Sequence, residues 1–182
     1  MTYEEKTISK RHIYTGGIID VESHTVVLPN GKEATRDIVL HAGASAVVPM
    51  NEKGEIAMVS QYRKPIERVS LEIPAGKLDA GEDPETCAVR ELKEETGLSA
   101  GRIKHMLSIH STPGFSNEVL HIYGATDLKQ GETCADEDEF LSVEWHPIGK
   151  LVQMIQTGQI TDAKSIVGIL LADRIIKGEL SL

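Results

Sequence analysis

The sequence predicts an α+β domain built in layers, on three grounds. The chain has 182 residues, about one domain's worth, and its 40% apolar and 26% charged residues are typical of a globular protein that buries a core. Strand-like segments recur through most of the chain, whereas helical segments are few. Because the two kinds do not alternate regularly, a layered α+β fold is favoured over repeated β-α-β units.

Residues 1–40 are predicted to form an antiparallel β-meander. Extended patterns cover residues 18–21 and 24–28, and a further extended run ends at Leu40. Asn30 and Gly31 lie between the last two of these runs. Asn-Gly favours a two-residue type I′ turn, because both central positions need a positive φ.

The remaining strands are predicted downstream, in short strand-like apolar runs. One helix separates the earlier of these strands from the later ones, and two helices close the chain. The strands cover residues 44–49, 56–62, 69–73, 106–111, 119–126 and 141–145.

The first helix is delimited by its end signals. Asp83 is a good N-cap, Pro84 suits the first helical position, and Gly97 suits the C-terminal stop. Of the two closing helices, one runs from about residue 148 to 156, and the other starts after Asp162 and ends near Gly178. The last helix has little polar face, so deep packing is expected. Its apolar positions are Ala163, Ile166, Val167, Leu170, Leu171 and Ile175.

Composition and charge exclude several classes of partner. The net charge of −9, from 19 basic and 28 acidic residues, disfavours nucleic-acid binding but permits a small anionic substrate beside local cations. The longest apolar stretch, residues 166–172, is interrupted by Gly168 and is much shorter than the ~20 residues of a membrane span. The first residues, MTYEEK, lack the apolar core of a signal peptide. We therefore expect a cytoplasmic protein, not bound to a membrane, with Cys87 and Cys134 as reduced thiols.

The first helix carries a stripe of carboxylates. Glu91 and Glu95 are spaced i and i+4, with Glu94 beside them, and Arg90 can pair with Glu94 or Glu82. Like charges at this spacing repel by roughly 0.2–0.5 kcal/mol per pair, which a surface helix tolerates. Two carboxylates one turn apart can also share a hard cation such as Mg²⁺. The spacing alone leaves both interpretations open, a solvated acidic face and a metal site.

The segment from Gly76 to Leu98 carries a more specific pattern. Gly76 is followed by five residues and then Glu82, and seven residues later comes the run RELKEETGL at residues 90–98. This pattern resembles the Nudix box at every fixed position. The resemblance implies a mixed-sheet α/β/α sandwich and Mg²⁺-assisted hydrolysis of a diphosphate bonded to another moiety, with Mn²⁺ as a possible substitute.

The resemblance also implies roles for residues of the box. The metal ligands would be Glu91, Glu95 and the backbone carbonyl of Ala75, and Glu94 would assist through water. Glu82 and Arg90 would brace the loop against the helix.

Features outside the box resemble the ADP-ribose pyrophosphatase branch of the family: Pro113 in the run STPGF, the N-terminal meander, and the run QYR that ends at Arg63. The branch implies that residues 1–40 are exchanged in a homodimer and complete the partner's substrate pocket, while residues 41–182 form the hydrolase domain. It assigns substrate binding to Arg36, acting in the partner's pocket, and to Arg63 and Glu118. For each of these three residues, a surface ion pair is the alternative.

A second acidic cluster precedes the last predicted strand, at residues 136–139. Simple solvation of these acids is one interpretation. In the branch, a loop at this place supplies a general base and a further metal ligand. The Glu-x-Glu spacing implies Glu137 as the base and Glu139 as the ligand, with Asp136 and Asp138 as alternatives of register.

The activity implied is hydrolysis of ADP-ribose to AMP and ribose 5-phosphate. Two alternatives stay open. One is another nucleoside-diphosphate-linked pyrophosphatase of the family, acting on a sugar nucleotide or a dinucleotide. The other is a non-catalytic Nudix module that senses a nucleotide.

Overall fold

The computed structural model describes residues 2–131 and 140–182. Within these ranges the chain forms two units, one built from residues 2–43 and 110–119 and the other from residues 44–109 and 120–182. The strands are β1 (Lys6–Thr15), β2 (Ile19–Val27), β3 (Glu33–His41), β4 (Ala44–Pro49), β5 (Glu55–Arg63), β6 (Arg68–Glu72), β7 (Ala75–Lys77), β8 (Leu98–His110), β9 (Val119–Gln130) and β10 (Leu141–Pro147), and the helices are α1 (Pro84–Thr96), α2 (Ile148–Gln156) and α3 (Ala163–Ile176).

The first unit contains the antiparallel meander, in the strand order β1-β2-β3, as the sequence predicts. The turn between β2 and β3 differs from the prediction. Gly31 has a φ of 81°, but Asn30 is not among the described residues with positive φ. A type I′ turn needs a positive φ at both positions, so the prediction of this turn type is wrong. The strands end at the pair Val27 and Glu33, which leaves a longer loop in which the Leu28 N–H donates to the Lys32 carbonyl at 2.8 Å.

Strand β1 is absent from the sequence prediction, and its burial explains why. Every residue of β1 is exposed, so the strand has no buried face and no need for alternating apolar residues. It forms by pairing with β2 along its whole length, with irregularities between Thr7 and Ser9 and between His12 and Tyr14.

The second unit is organised around β4, which lies in a mixed sheet of order β7-β4-β9-β8, parallel to β9 and antiparallel to β7. Its side chains alternate between two cores. Ala46 and Val48 pack in the core that contains Ile169 of α3, whereas Val47 packs in the core that contains Leu92 of α1. Helices therefore cover both faces of the sheet, which is the sandwich that the resemblance to the Nudix box implies.

A second sheet, of order β10-β5-β6, carries residues toward the site. Its strands are antiparallel, and Arg63 lies opposite Arg68 while Val59 lies opposite Glu72. Alternate residues of a strand share a face, so Arg63, Val59 and their partners project from the same side. This register places Arg63 and Glu72 on one face but four positions apart along the β5–β6 pair, so their contact is made by the two long side chains.

The helices begin and end close to their predicted limits. The Asp83 carboxylate caps α1 by accepting from the Glu85 and Thr86 N–H groups, and Gly97 ends it with a φ of 70°. Helix α3 departs from the expected deep packing, since Leu170 is 43% exposed. Its buried face approaches the sheet closely through small residues: a Cβ on Gly168 would lie 2.8 Å from Cγ2 of Val48. In the described part of the chain, none of the helices has the length and hydropathy needed to cross a bilayer.

Candidate active site

The two carboxylates predicted as metal ligands meet strand β7. Glu91 and Glu95 are 9% and 3% exposed, on the face of α1 that their i, i+4 spacing defines. The Ala75 N–H donates to Oε2 of Glu95 at 3.1 Å. A Cβ on Gly76 would lie 1.8 Å from Oε1 of Glu91. Only glycine at position 76 therefore leaves the Glu91 carboxylate where it is.

Arg90 ties these groups to the preceding loop. Its Nε and Nη2 donate to the two oxygens of Glu82, both at 3.0 Å, and its Nη1 donates to Glu91 at 2.6 Å and to Glu94 at 2.9 Å. Hydrogen bonds from Arg90, and in smaller part from the Asp79 N–H, lower the pKa of Glu82 to about 2. We call Glu82, Glu91, Glu94 and Glu95 the carboxylate cluster. Arg90 joins Glu82 and Glu94 at once, where the sequence left a choice between them.

The residues present fit a hard divalent cation. Carboxylate oxygens of Glu91 and Glu95 and the carbonyl of Ala75 are the donors that Mg²⁺ prefers, and Gly76 keeps space for them. Among the described residues, no group of three or more His, Cys, Asp or Glu side chains is arranged to hold a metal ion. Mg²⁺ is commonly held by one or two carboxylates together with substrate phosphates, so two glutamates suffice. Glu137 and Glu139, like Cys134, lie outside the described residues.

A second charged group lies where β5, β6 and the start of α3 meet. Arg63 donates through Nε and Nη2 to the two oxygens of Glu72, at 3.1 and 2.9 Å. Lys164 donates to the same carboxylate and lies 3.1 Å from Asp162. We call Arg63, Glu72, Asp162 and Lys164 the arginine–lysine network. Burial raises the pKa of Glu72, but the hydrogen bond from Arg63 and the charge of Lys164 outweigh it and bring the pKa to about 2.

Sequence reasoning missed Glu72 and Lys164, although each left a signal. Glu72 lies between Leu71 and Ile73 in a buried segment, and a buried carboxylate needs a cationic partner. Lys164 lies in the first turn of α3, where the helix dipole disfavours a cation. Neither signal identifies the partner, which only the folded chain reveals.

A pocket of about 370 Å³ opens beside the network. Its charged walls carry one more basic than acidic group, in a chain whose net charge is −9. The pKa of Arg63 is raised mainly by its hydrogen bonds to Glu72 and in smaller part by the charge of Glu95, so one carboxylate of the cluster acts electrostatically on this arginine. A larger pocket, of about 470 Å³ around Met50, contains none of the predicted site residues. The charged residues of the smaller pocket are Arg63, Arg68, Glu72, Asp162 and Lys164.

The other two predicted substrate ligands lie in the first unit. Arg36 forms a two-point ion pair with Glu5, at 2.8 and 2.6 Å, which matches the surface-pair alternative within one chain. Glu118 accepts a hydrogen bond from the Ser111 hydroxyl, and one of its oxygens lies 3.6 Å from Nδ1 of His41. Their roles toward substrate stay predictions.

Comparison with family models gives two adjoining matches. The NUDIX domain model matches residues 39–167. The model of the nucleoside diphosphate sugar hydrolase N-terminal domain matches residues 5–39. Together they cover both the meander and the part of the chain that carries the carboxylate cluster.

Individual relatives cover almost the whole chain. The chain is 42% identical to an ADP-ribose pyrophosphatase of Bacillus subtilis (strain 168) over 168 residues, 91% of each chain. It is 41% identical to a methanol dehydrogenase activator of Bacillus methanolicus over 169 residues, 92% of this chain and 91% of the other. The crystal structure of an ADP compounds hydrolase superposes with a TM-score of 0.85 at 21% identity, covering 98% of this chain and 97% of the other. That superposition confirms the predicted fold.

Proposed function

This chain belongs to the Nudix family, as its box resemblance predicts, and we propose that it is a magnesium-dependent hydrolase of the diphosphate bond of ADP-ribose. The products are AMP and ribose 5-phosphate. The observation that carries the proposal is the pair of buried carboxylates, Glu91 and Glu95, held against the glycine and the backbone N–H of β7. Oxygen donors packed this way suit the charge neutralisation that diphosphate hydrolysis needs.

The choice of ADP-ribose has support from two sides. The Bacillus subtilis relative is named ADP-ribose pyrophosphatase, and the N-terminal match is to a nucleoside diphosphate sugar hydrolase model. The pocket beside Arg63 supplies the local positive charge that an anionic substrate requires in an acidic protein. Another sugar nucleotide or a dinucleotide would use the same charges, so these compounds belong in the test.

The chain's own residues divide the work. Glu91, Glu95 and the Ala75 carbonyl hold the magnesium ion, with Glu139 as a further ligand. When bound, magnesium neutralises charge on the phosphate oxygens and lowers the pKa of water. Glu137 accepts a proton from the attacking water, whose oxygen bonds to one phosphorus as the bridging P–O bond breaks.

The remaining residues orient the substrate and the ligands. Arg63 binds phosphate or ribose oxygens beside the carboxylate cluster. Arg90 holds Glu91 and Glu94 through its Nη1, and its two-point bond to Glu82 keeps the loop of the box against the helix.

The proposal includes a cytoplasmic homodimer in which residues 1–40 complete the partner's substrate pocket and residues 41–182 form the hydrolase domain. Arg36 and Glu118 then contact substrate. The exposure of β1 supports a further partner for this strand, because Ile8 and Ile13 are each 50% exposed and Tyr14 is 56% exposed. Large apolar side chains that are concentrated on one exposed strand, rather than scattered singly over the surface, are typical of an interface.

A substrate panel tests the proposal. The purified protein is incubated with Mg²⁺ and ADP-ribose, ADP-glucose, GDP-mannose, NADH or nucleoside triphosphates, and products are separated by ion-exchange chromatography. We expect AMP and ribose 5-phosphate from ADP-ribose at the highest kcat/KM, with no release in excess EDTA. A higher kcat/KM for another compound would replace the substrate, and no release from any compound would indicate a nucleotide-sensing module.

A further inference from the structure

We propose, on the basis of the function above, that Glu72 and Lys164 are positioning residues that aim Arg63 at the substrate. Glu72 is 5% exposed, and its two oxygens receive the Nε and Nη2 edge of Arg63. A planar guanidinium bound at two points on one carboxylate has a fixed orientation. Its Nη1 makes no hydrogen bond to any described residue and belongs to a side chain that is 40% exposed. That nitrogen is the donor left for substrate.

Lys164 holds the Glu72 carboxylate in place, and this carboxylate in turn orients Arg63. Lys164 donates to Oε2 of Glu72, the oxygen that also accepts from Nη2 of Arg63. Charges of opposite sign therefore alternate from Arg63 through Glu72 and Lys164 to Asp162. Without Lys164, Glu72 would keep a single cationic partner and could follow Arg63 as it moves. A buried carboxylate that loses a partner also rearranges to recover hydrogen bonds.

Hydrogen bonds hold Asp162, the last residue of this series of charges, in place. Asp162 accepts from the Ser165 N–H at 2.9 Å and from the Ser165 hydroxyl at 2.6 Å. The Ser165 hydroxyl oxygen in turn accepts from the Ile73 N–H at 2.8 Å, in a buried position. The start of α3 is thus tied to the residue that follows Glu72, so the ammonium of Lys164 and the carboxylate of Glu72 share one frame.

Lys164 and Glu72 would make the same hydrogen bonds if their only role were to hold α3 against the sheet. The test therefore measures stability and substrate binding separately. The variants are K164M, the conservative K164R, and K177M as a matched control. Lys177 lies just after the other end of α3 and pairs with Asp173 at 2.7 Å. For each we measure the Tm and, with ADP-ribose and Mg²⁺, kcat and KM separately.

We expect K164M to raise KM about tenfold while kcat changes less than threefold, because Arg63 binds substrate before the chemical step. The K164R variant keeps a cation at this position, so its KM should lie within threefold of the wild-type value. The K177M variant should have unchanged kcat and KM. If K164M lowers the Tm and leaves KM at the wild-type value, Lys164 is a structural tie and the proposal is overturned.

A double-mutant cycle with R63M gives the decisive result. If Lys164 acts through Arg63, K164M in the R63M background should change kcat/KM by less than twofold. A further tenfold loss in that background would show independent action and overturn the proposal. Failure of ADP-ribose hydrolysis by the wild type contradicts the proposed function instead, and the cycle is then run with the substrate that the panel identifies. Inactivity toward every compound in the panel overturns both.

Discussion

The carboxylate cluster and the arginine–lysine network both combine cationic side chains with carboxylates, but in different proportions. In the cluster, one arginine pairs with three glutamates, and Glu95 is buried beside them. In the network, two cations balance two carboxylates, and Arg68 adds positive charge to the adjoining pocket. A surplus of carboxylate suits a metal cation, whereas a balanced network with a positive pocket suits an anionic substrate. The proportion of charges, more than the residue types, separates the two roles.

Removing a ligand carboxylate should have the largest effect. We expect E91Q or E95Q to lower kcat about 1000-fold, a change of about 4 kcal/mol in the activation barrier, because an amide cannot supply the lost negative charge to the metal. The fold should persist, as judged by circular dichroism.

The matched control for these variants is E85Q, an exposed residue in the first turn of the same helix, which should keep wild-type kcat. Turnover within a few-fold of wild type in E91Q or E95Q would remove the ligand assignment and with it the contrast between the two regions.

Neutralising Glu72 should instead affect stability in a pH-dependent way. Its pKa in the folded protein is about 2, below its ordinary value of 4.5. A depressed carboxylate pKa stabilises the fold above pH 4.5, and this contribution is lost as the pH falls from 4.5 through 2. We expect E72Q to be less stable than wild type by on the order of 3 kcal/mol at pH 7, with the difference shrinking below pH 4.5 in urea unfolding experiments.

E67Q is the control for E72Q. Glu67 forms an exposed ion pair with Lys64 at 2.7 Å, and pairs of this kind contribute little to stability. Its difference from wild type should stay small at every pH. A difference for E72Q that does not vary between pH 7 and pH 3 would count against the charged network.

Adding one methyl group at Gly76 tests how tightly the cluster is packed. The Cβ of G76A would occupy the place of the Glu91 carboxylate, at 1.8 Å from Oε1, so the carboxylate must move. We expect kcat/KM to fall about 30-fold, or about 2 kcal/mol. G149A, where a Cβ meets nothing within 4 Å, should keep wild-type kinetics; equal activity in both variants would show that the position of Glu91 tolerates change.

Local signals made the central helix predictable. Asp83, Pro84 and Gly97 act on the residues next to them, so α1 begins and ends where the sequence places its limits. The turn at Asn30 is different, because strand pairing around it sets a longer loop than the dipeptide prefers. Strand β1 has no buried face, and therefore no apolar alternation to detect.

The same distinction applies to the candidate site. Glu91 and Glu95 could be paired from the sequence, because their spacing on one helix places them on one face. Glu72 and Lys164 are 92 positions apart, and their contact depends on how α3 packs against the sheet. Arg63 was a candidate on the resemblance of its segment, but nothing in the local sequence indicates the carboxylate that orients it.

The smallest expected effect is the rise in Tm on magnesium binding, which should depend on the carboxylate cluster and not on the arginine–lysine network. A ligand that binds only the folded state stabilises it by about 1.4 kcal/mol at tenfold excess over Kd, which for a chain of this size raises the Tm by roughly 3–6 °C. We expect this shift for wild type and for E72Q, whose carboxylate cluster is intact. The double variant E91Q/E95Q should show no such shift. Differential scanning fluorimetry with MgCl₂ against NaCl of equal ionic strength measures it. If E91Q/E95Q shows the full shift, magnesium binds elsewhere, and the surplus of carboxylate on α1 would not be what attracts the metal.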